Sequence, residues 1–399
     1  MGIFLNSPIP SEAYRETAAD TYFVDKSLLL TELFPAMGKK NKYFCITRPR
    51  RFGKSVMASM VGSFFGKTSD DDHLFDTLAI SENENYSFHL HRHNVVFIDF
   101  SQEPRNCADY GQYITRIQDG INQDLAEVYP DMKIDTAEAV WDILLKIFQK
   151  TRDKFIFVID EWDAIFHKSF ITLKDQKKYL GFLRNLLKDQ VYVELAYMTG
   201  VLPIAKYSSG SELNMFLEYD MATKKKFSEY FGFLDSEVDR LHQIYKNTNA
   251  NPEISRENLR IWYDGYYTAK DCRIYNPRSI VCALTDNELT NYWTSSGPYD
   301  EIFYYIKNNI ETVREDLILM AAGEGIPAEI QNYAAVSMKL ETKDEIYSAM
   351  VVYGLLTYHE GKVFIPNREL MIQFKKLLMT KASLGYVYSL ARESEKIYK

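Results

Sequence analysis

The sequence predicts an α/β chain built on a parallel sheet with helices on both faces. Three observations carry that expectation. Lys154–Glu161 is an almost uninterrupted apolar run ending in two carboxylates, the pattern of a strand buried on both faces. Tyr43–Ile46, Asn94–Phe100 and Val191–Met198 are further apolar runs of strand length. Helical periodicities lie between the later runs. Thr136–Lys150 puts Val140, Ile143, Leu144, Ile147 and Phe148 on one side, and Leu180, Leu183, Leu186 and Leu187 repeat the pattern before the last strand.

Taken in chain order, the first element is a helix from Lys26 capped by Asp25, with Leu28, Leu29, Leu30 and Leu33 on its apolar side. Tyr22, Phe23 and Val24 precede it and suit a hydrophobic staple that docks the helix. The run Tyr43–Ile46 then leads into Arg48-Pro49-Arg50-Arg51-Phe52-Gly53-Lys54-Ser55, and Val56–Val61 reads as helix. A strand, a turn ending Gly-Lys-Ser and a helix is the arrangement of a phosphate-binding loop. Backbone N–H groups at a helix N-terminus attract phosphate oxygens. Lys54 reaches outer phosphates and the Ser55 hydroxyl ligates Mg²⁺. The usual pattern asks for Gly at position 48 and finds Arg48, and Pro49 lacks an N–H.

The acidic strand is the partner element. In open α/β sheets ligands sit at the carboxyl ends of strands, where Asp160 and Glu161 fall. Asp160 suits a Mg²⁺ ligand, and Glu161 suits a general base that polarises an attacking water. The plain structural alternative is a strand ending in a solvated acidic turn. Thr199 is expected to end a strand next to the acidic one, either sensing the γ-phosphate or serving as an ordinary turn threonine.

Regular alternation stops near residue 207. Ser208–Ser211 reads as a loop, and Phe227–Tyr245 and Ser255–Tyr263 read as helices rich in aromatics. Arg256, Arg260, Arg273 and Arg278 are phosphate-contact candidates among which spacing does not choose. Asp344–Tyr353 is helical in character, and Leu356–Pro366 is a hairpin turning at Glu360-Gly361. Asn367 caps a helix with Leu370, Phe374, Leu377 and Leu378. Helix, hairpin and helix make a winged-helix-like module, which binds DNA in some proteins and packs on the nucleotide domain in others.

Composition sets outer bounds. The 399 residues, 46% of them hydrophobic, suffice for two or three domains. A net charge of −8 argues against a generally nucleic-acid-coated surface. Cys45, Cys107, Cys272 and Cys282 form no C-x-x-C pair, so neither a zinc site nor a disulfide framework is indicated, and a reducing cytoplasm fits. There is no secretory signal, lipidation motif or membrane-length apolar stretch, so no membrane partner is expected. His89, His91 and His93 alternate, which predicts an exposed hairpin edge ahead of a metal site. Asp70–Asp72 and Lys224–Lys226 read as solvated charge.

Beyond these motifs, the sequence resembles the AAA-ATPase-like family, whose members are often fused to a C-terminal PD-(D/E)XK nuclease-like domain. The resemblance rests on Met1–Asn6, Tyr22–Lys26, Arg48–Ser55 and Asp160-Glu161-Trp162-Asp163, where the family usually has Tyr at position 162. It continues through Thr199–Lys206, where Arg is usual in place of Pro203, and through Phe231–Phe233, Trp262–Tyr266, Tyr275–Pro277 and Tyr292–Ser296. Arg48 in place of Gly is the family's habit.

The resemblance implies a P-loop NTPase of the additional-strand type, placed over 1–207, and supports a helical lid over 208–300; the winged-helix-like module read from the residue pattern takes 301–399. It also implies the catalytic Glu directly after the metal-binding Asp. Nucleotide binding is assigned to Arg50, Arg51, Phe52, Gly53, Lys54, Ser55 and Val56. Tyr22 joins them because the segment before the first helix packs on adenine in related ATPases. Catalysis is assigned to Glu161, Lys54 and Thr199, and Mg²⁺ to Ser55 and Asp160.

ATP or ADP is the expected ligand, since no N-K-x-D guanine-reading motif occurs. Partners beyond it are a protein or a second copy of the chain, with DNA open. Glu341-Thr342-Lys343 lacks the strand and the upstream Asp of a nuclease site, and the chain stops at Lys399 where relatives continue, so nuclease activity is not expected. Two other readings stand beside Mg²⁺-dependent ATP hydrolysis. One is a nucleotide-gated switch or scaffold with little turnover. The other is a DNA-associated regulator using the C-terminal module.

Overall fold

The computed structural model describes residues 2–67, 73–204, 212–293, 312–330 and 342–379. The chain divides into two compact units. The first comprises Met1–Thr47, Lys54–Ile204 and Ser208–Tyr219, the second Arg48–Gly53, Ala205–Tyr207 and Asp220–Lys399.

The first unit carries a five-stranded parallel sheet. Its strands are β1 (Tyr43–Thr47), β2 (Asn94–Asp99), β3 (Phe155–Asp160), β4 (Val193–Gly200) and β5 (Leu217–Tyr219), in the order β2-β3-β4-β1-β5. Every residue of β1 and β3 is buried. Successive side chains point to opposite faces, so both faces are covered. Helices supply the cover: α1 (Ile9–Ala18), α2 (Lys54–Phe65), the short α3 (Tyr86–His89), α4 (Tyr110–Val128), α5 (Val140–Thr151) and α6 (Leu173–Leu187). The predicted apolar stripes are real. Val140, Ile143, Leu144 and Ile147 of α5 are buried, as are Leu180, Leu183, Leu186 and Leu187 of α6.

Strand β4 lies between β1 and the acidic β3, as the additional-strand type requires. The register pairs Ile46 with Thr199, and Asp99 with Asp160. The carboxyl ends of these four strands therefore line up at one edge of the sheet. On the far edge, the N-terminal residues seal β2. Asn6 N–H donates to Val95 O at 2.8 Å and Phe97 N–H to Phe4 O at 2.9 Å. Asp124 of α4 holds the same segment, accepting from the N–H groups of Ile3, Phe4 and Leu5 at 3.1, 2.7 and 3.0 Å. An otherwise open strand edge is thereby paired.

Three local expectations fail. Residues Ser27–Glu32 form a 3₁₀ helix, not an α-helix from Lys26. Asp25 still works as a cap, accepting from Ser27 N–H at 2.8 Å, but its other oxygen takes Ala79 N–H at 2.7 Å. Leu28 is exposed while Leu29, Leu30 and Leu33 are buried. His89, His91 and His93 are not on a hairpin edge. His89 ends α3, His91 has a left-handed φ of 55°, and His93 precedes β2. The buried His89 instead bonds His93 (Nδ1 to Nε2, 3.0 Å), and His93 Nδ1 bonds Glu194 at 3.0 Å. Among the described residues no His, Cys, Asp or Glu cluster is arranged to hold a metal.

The third failure is in the second unit. Phe227–Tyr245 is not one helix, because Phe227 turns at a φ of 66° and a short strand intervenes. The elements here are β6 (Phe233–Leu234), α7 (Asp235–Thr248), α8 (Arg256–Tyr263), β7 (Tyr266–Tyr267), β8 (Arg273–Tyr275) and α9 (Pro277–Asp286). Strands β6, β8 and β7 form an antiparallel sheet. Helix α10 (312–321), β9 (Ile326–Pro327), α11 (Lys343–Val352), β10 (Thr357–His359), β11 (Lys362–Phe364) and α12 (Arg368–Met379) follow.

The expected helix, hairpin and helix are present in α11, β10–β11 and α12. The hairpin turns at Glu360 and Gly361 with φ of 47° and 76°. Asn367 caps α12 by accepting from Leu370 N–H at 3.1 Å. The loop expected at Ser208–Ser211, the run Asp70–Asp72, Glu341 and the side chains of Leu377 and Leu378 lie outside the described residues.

Candidate functional site

The site begins where β1 ends. Arg51 and Gly53 take left-handed backbone, with φ of 72° and 86°, before α2 starts at Lys54. Alternation of this kind converges successive N–H groups into an anion-binding concavity. An arginine at positive φ is uncommon, so it is a strain held in place by its surroundings. Lys54 is buried, Ser55 is exposed, and Val56, Arg50 and Arg51 are half-buried, while Phe52 is buried.

Asp160, at the end of β3, is the centre of the cluster. It is 5% exposed. The Thr199 hydroxyl donates to Asp160 Oδ1, and Ser55 also hydrogen-bonds the carboxylate. Burial pushes the Asp160 carboxyl up to about 6. The two hydroxyl bonds act against that, and the nearby Glu161 and Asp99 carboxylates add to it. Glu161 follows directly, half-buried and at a left-handed φ of 52°. A second non-glycine residue is thus held in sparsely populated backbone at the strand end.

The segment after Glu161 is a brace. Trp162 is fully buried, and its Nε1–H donates to Leu202 O at 3.2 Å. Its backbone N–H reaches Thr199 O at 3.0 Å, and Tyr179 of α6 donates to its carbonyl at 2.7 Å. Asp163 accepts from the N–H groups of Val201 and Leu202 at 3.0 and 2.7 Å. Together these bonds tie the end of β4 to the end of β3 and fix where Thr199 points. Gly200 is required here, since an added Cβ would lie 2.3 Å from Trp162 Cδ1.

The structure therefore brings Ser55, Asp160, Glu161 and Thr199 together, with Lys54 next to Ser55 on the first turn of α2. Tyr22 is buried in the turn after α1, where its N–H donates to Asp20 at 2.8 Å. Two residues escaped sequence reasoning. Asp99 ends an apolar run just as Asp160 does, and that parallel was the available signal. Asp163 was visible only as part of a string.

Of the four arginine candidates, Arg256 is held by Asp235 and Asp239 at 2.5 and 2.6 Å and by the Tyr275 hydroxyl. Arg273 is held by Asp264 at 2.5 Å, and Arg260 stands 3.8 Å from Glu257. Arg278 is exposed on α9. All four cysteines are free. No helix among the described residues is long and apolar enough to cross a membrane.

A family model described as predicted AAA-ATPase matches residues 8–209, just over half of the 399 residues. An uncharacterized protein from the vnfD 5′ region of Azotobacter chroococcum mcd 1 is 24% identical over 283 residues, covering 70% of this chain and 51% of that protein. The chain thus spans about half the length of this curated relative.

Similar solved structures include a Walker-type ATPase of Pyrococcus abyssi (TM-score 0.43, 12% identity, 88% of this chain and 94% of that one). Others are the Aeropyrum pernix ORC2 protein in ADPNP and ADP complexes (0.37, 12%, 89% and 93%) and the ORC1 protein of the same organism in complex with DNA (0.34, 12%, 88% and 90%). These scores all lie below 0.5.

Proposed function

The chain belongs to the predicted AAA-ATPase family, and on that footing we propose that it binds ATP with Mg²⁺ and hydrolyses it. The observation that carries this reading is the Asp160 carboxylate, shared by the Ser55 and Thr199 hydroxyls beside Lys54 and Glu161. Backbone N–H groups of Arg50–Gly53 and the Lys54 ammonium hold the phosphates.

The donor set suits Mg²⁺. It is all oxygen, and the buried carboxylate carries an unfavourable charge that two neighbouring carboxylates aggravate. Ser55 and Asp160 would hold the ion, which neutralises phosphate charge when bound. Glu161, fixed by its backbone at the strand end, takes a proton from the attacking water. Thr199 orients Asp160 and faces the reacting end of the nucleotide. Most of the rate enhancement in such a site is positioning and charge stabilisation. In this reading 1–207, with β5 (Leu217–Tyr219) joining its sheet, is the nucleotide domain, 208–300 a helical lid and 301–399 a winged-helix-like module, working in the cytoplasm.

A titration with a fluorescent ATP analogue tests the site. Lys54→Ala should abolish binding in a protein that keeps its secondary structure, and retained affinity would sink the assignment.

A further inference from the structure

Arg48 stands where a standard phosphate-binding loop has glycine, and its side chain has a defined place. The guanidinium is 1% exposed. It lies over the Phe231 ring, 4.9 Å from the centroid, within the range of a cation–π contact. It also donates to the Phe227 carbonyl at 3.4 Å. Burying a guanidinium is costly unless its surroundings compensate, so this placement is a commitment of the fold.

Two more loop residues are held in the same unit. Phe52, fully buried, meets the Tyr266 ring edge-on at 4.9 Å, and the Tyr266 hydroxyl donates to Gly354 O at 2.9 Å. Pro49 packs on Gly354, where an added Cβ would come 2.6 Å from Pro49 Cβ. Arg48, Pro49 and Phe52 are three of the residues of Arg48–Gly53, the segment that groups with the second unit. The next residue, Lys54, opens α2 in the first unit.

We propose that Arg48 is a positioning residue for the phosphate loop. With Pro49 and Phe52 it anchors the first half of the loop on Phe231, Tyr266 and Gly354, so these residues set nucleotide affinity. The left-handed residues Arg51 and Gly53 lie between or just beyond the anchors. Their backbone turns keep the N–H groups convergent only while both sides of the loop are held. By linkage, whatever these anchors add to nucleotide affinity, the nucleotide returns as stability of the anchors. The proposal rests on the reading of Lys54 and Ser55 as phosphate and metal ligands.

The test compares Arg48→Ala, Arg48→Lys, Phe231→Leu and Gly354→Ala with Lys54→Ala, in the full chain. Binding of a fluorescent ATP analogue with Mg²⁺ is read beside circular dichroism and thermal unfolding. Phe231→Leu and Gly354→Ala should stay folded and bind at least ~10-fold more weakly, with KM for ATP rising more than kcat falls. Arg48→Lys should not restore what Arg48→Ala loses, because an ammonium lacks the planar face.

Unchanged affinity in folded Phe231→Leu, beside lost affinity in Lys54→Ala, overturns the anchoring alone. Unchanged affinity in Lys54→Ala overturns the site reading and the proposal with it. In the unaltered chain, the ATP analogue should slow amide exchange around Phe231 and Tyr266. Identical exchange with and without the analogue contradicts the proposal even if no variant folds.

Discussion

Replacing Asp160 by Asn removes a buried charge that the ligand-free protein tolerates at a cost. Burial, with Glu161 and Asp99 nearby, raises this carboxyl from 3.8 to about 6. The folded state then binds the proton more tightly than the unfolded chain. Stability from this group is full below the unfolded value and is lost as pH rises through about 6. The rise from 3.8 to about 6 corresponds to about 3 kcal/mol at pH 8.

An asparagine keeps an acceptor for the two hydroxyls but adds an amide N–H₂ that lacks a partner, costing about 1 kcal/mol. The net gain is about 2 kcal/mol, or roughly 4–8 °C in Tm for a unit of this size. Scanning fluorimetry with EDTA and no nucleotide should show Asp160→Asn melting above the parent at pH 8. The gain should shrink by about 1 kcal/mol at pH 5, where the parent's carboxyl is largely protonated. A variant that melts lower at pH 8, or whose gain is the same at both pH values, would refute the buried-charge account. The same variant should be inactive, an instance of stability gained where function is given up.

Other expectations follow from single contacts. Gly200→Ala forces Trp162 to move, combining overpacking of about 1–3 kcal/mol with a strained indole hydrogen bond of about 1 kcal/mol. Tm should fall by about 5–10 °C and turnover with it, because Thr199 shifts; a change within 2 °C would show that the turn is slack. His89 is held down to about 4 by burial and then by the His93 charge, with Glu194 opposing. The unfolded chain therefore takes up a proton that the folded one refuses, and stability falls as pH drops from 6.5 through 4. His93, Glu194 and Phe34 face the ring. His89→Phe should flatten the acid side of the stability curve, and an unchanged slope there would assign acid lability to other groups.

Much of the sheet could be read because buried parallel strands are nearly pure apolar runs, and both α5 and α6 carry wide apolar faces. The strand-end positions of Asp160 and Thr199 were legible because their strands are apolar runs that close on those residues. Strand order was not legible from residues alone: β4 lies between β1 and β3 through long-range pairing that no local pattern encodes. The histidine error came from a wrong period. Alternation at 89, 91 and 93 imitates a strand, while a helix end and a left-handed His91 bring 89 and 93 together instead. Phe227–Tyr245 failed differently. Its aromatics looked like a helix face, yet Phe227 turns sharply and its carbonyl accepts from Arg48, a residue far away in sequence. Asp163 was hidden because a carboxylate that caps a distant turn looks like any other acidic residue.

Phosphate release from ATP by the unaltered chain and by Glu161→Gln, each with Mg²⁺ and with EDTA, tests the central claim most directly. The account predicts turnover that needs Mg²⁺ and falls at least ~100-fold in Glu161→Gln while ATP binding stays within about threefold. Equal turnover in the two proteins would contradict Glu161 as the base. ATP binding without any turnover in the unaltered chain would leave a nucleotide-gated switch in place of an ATPase.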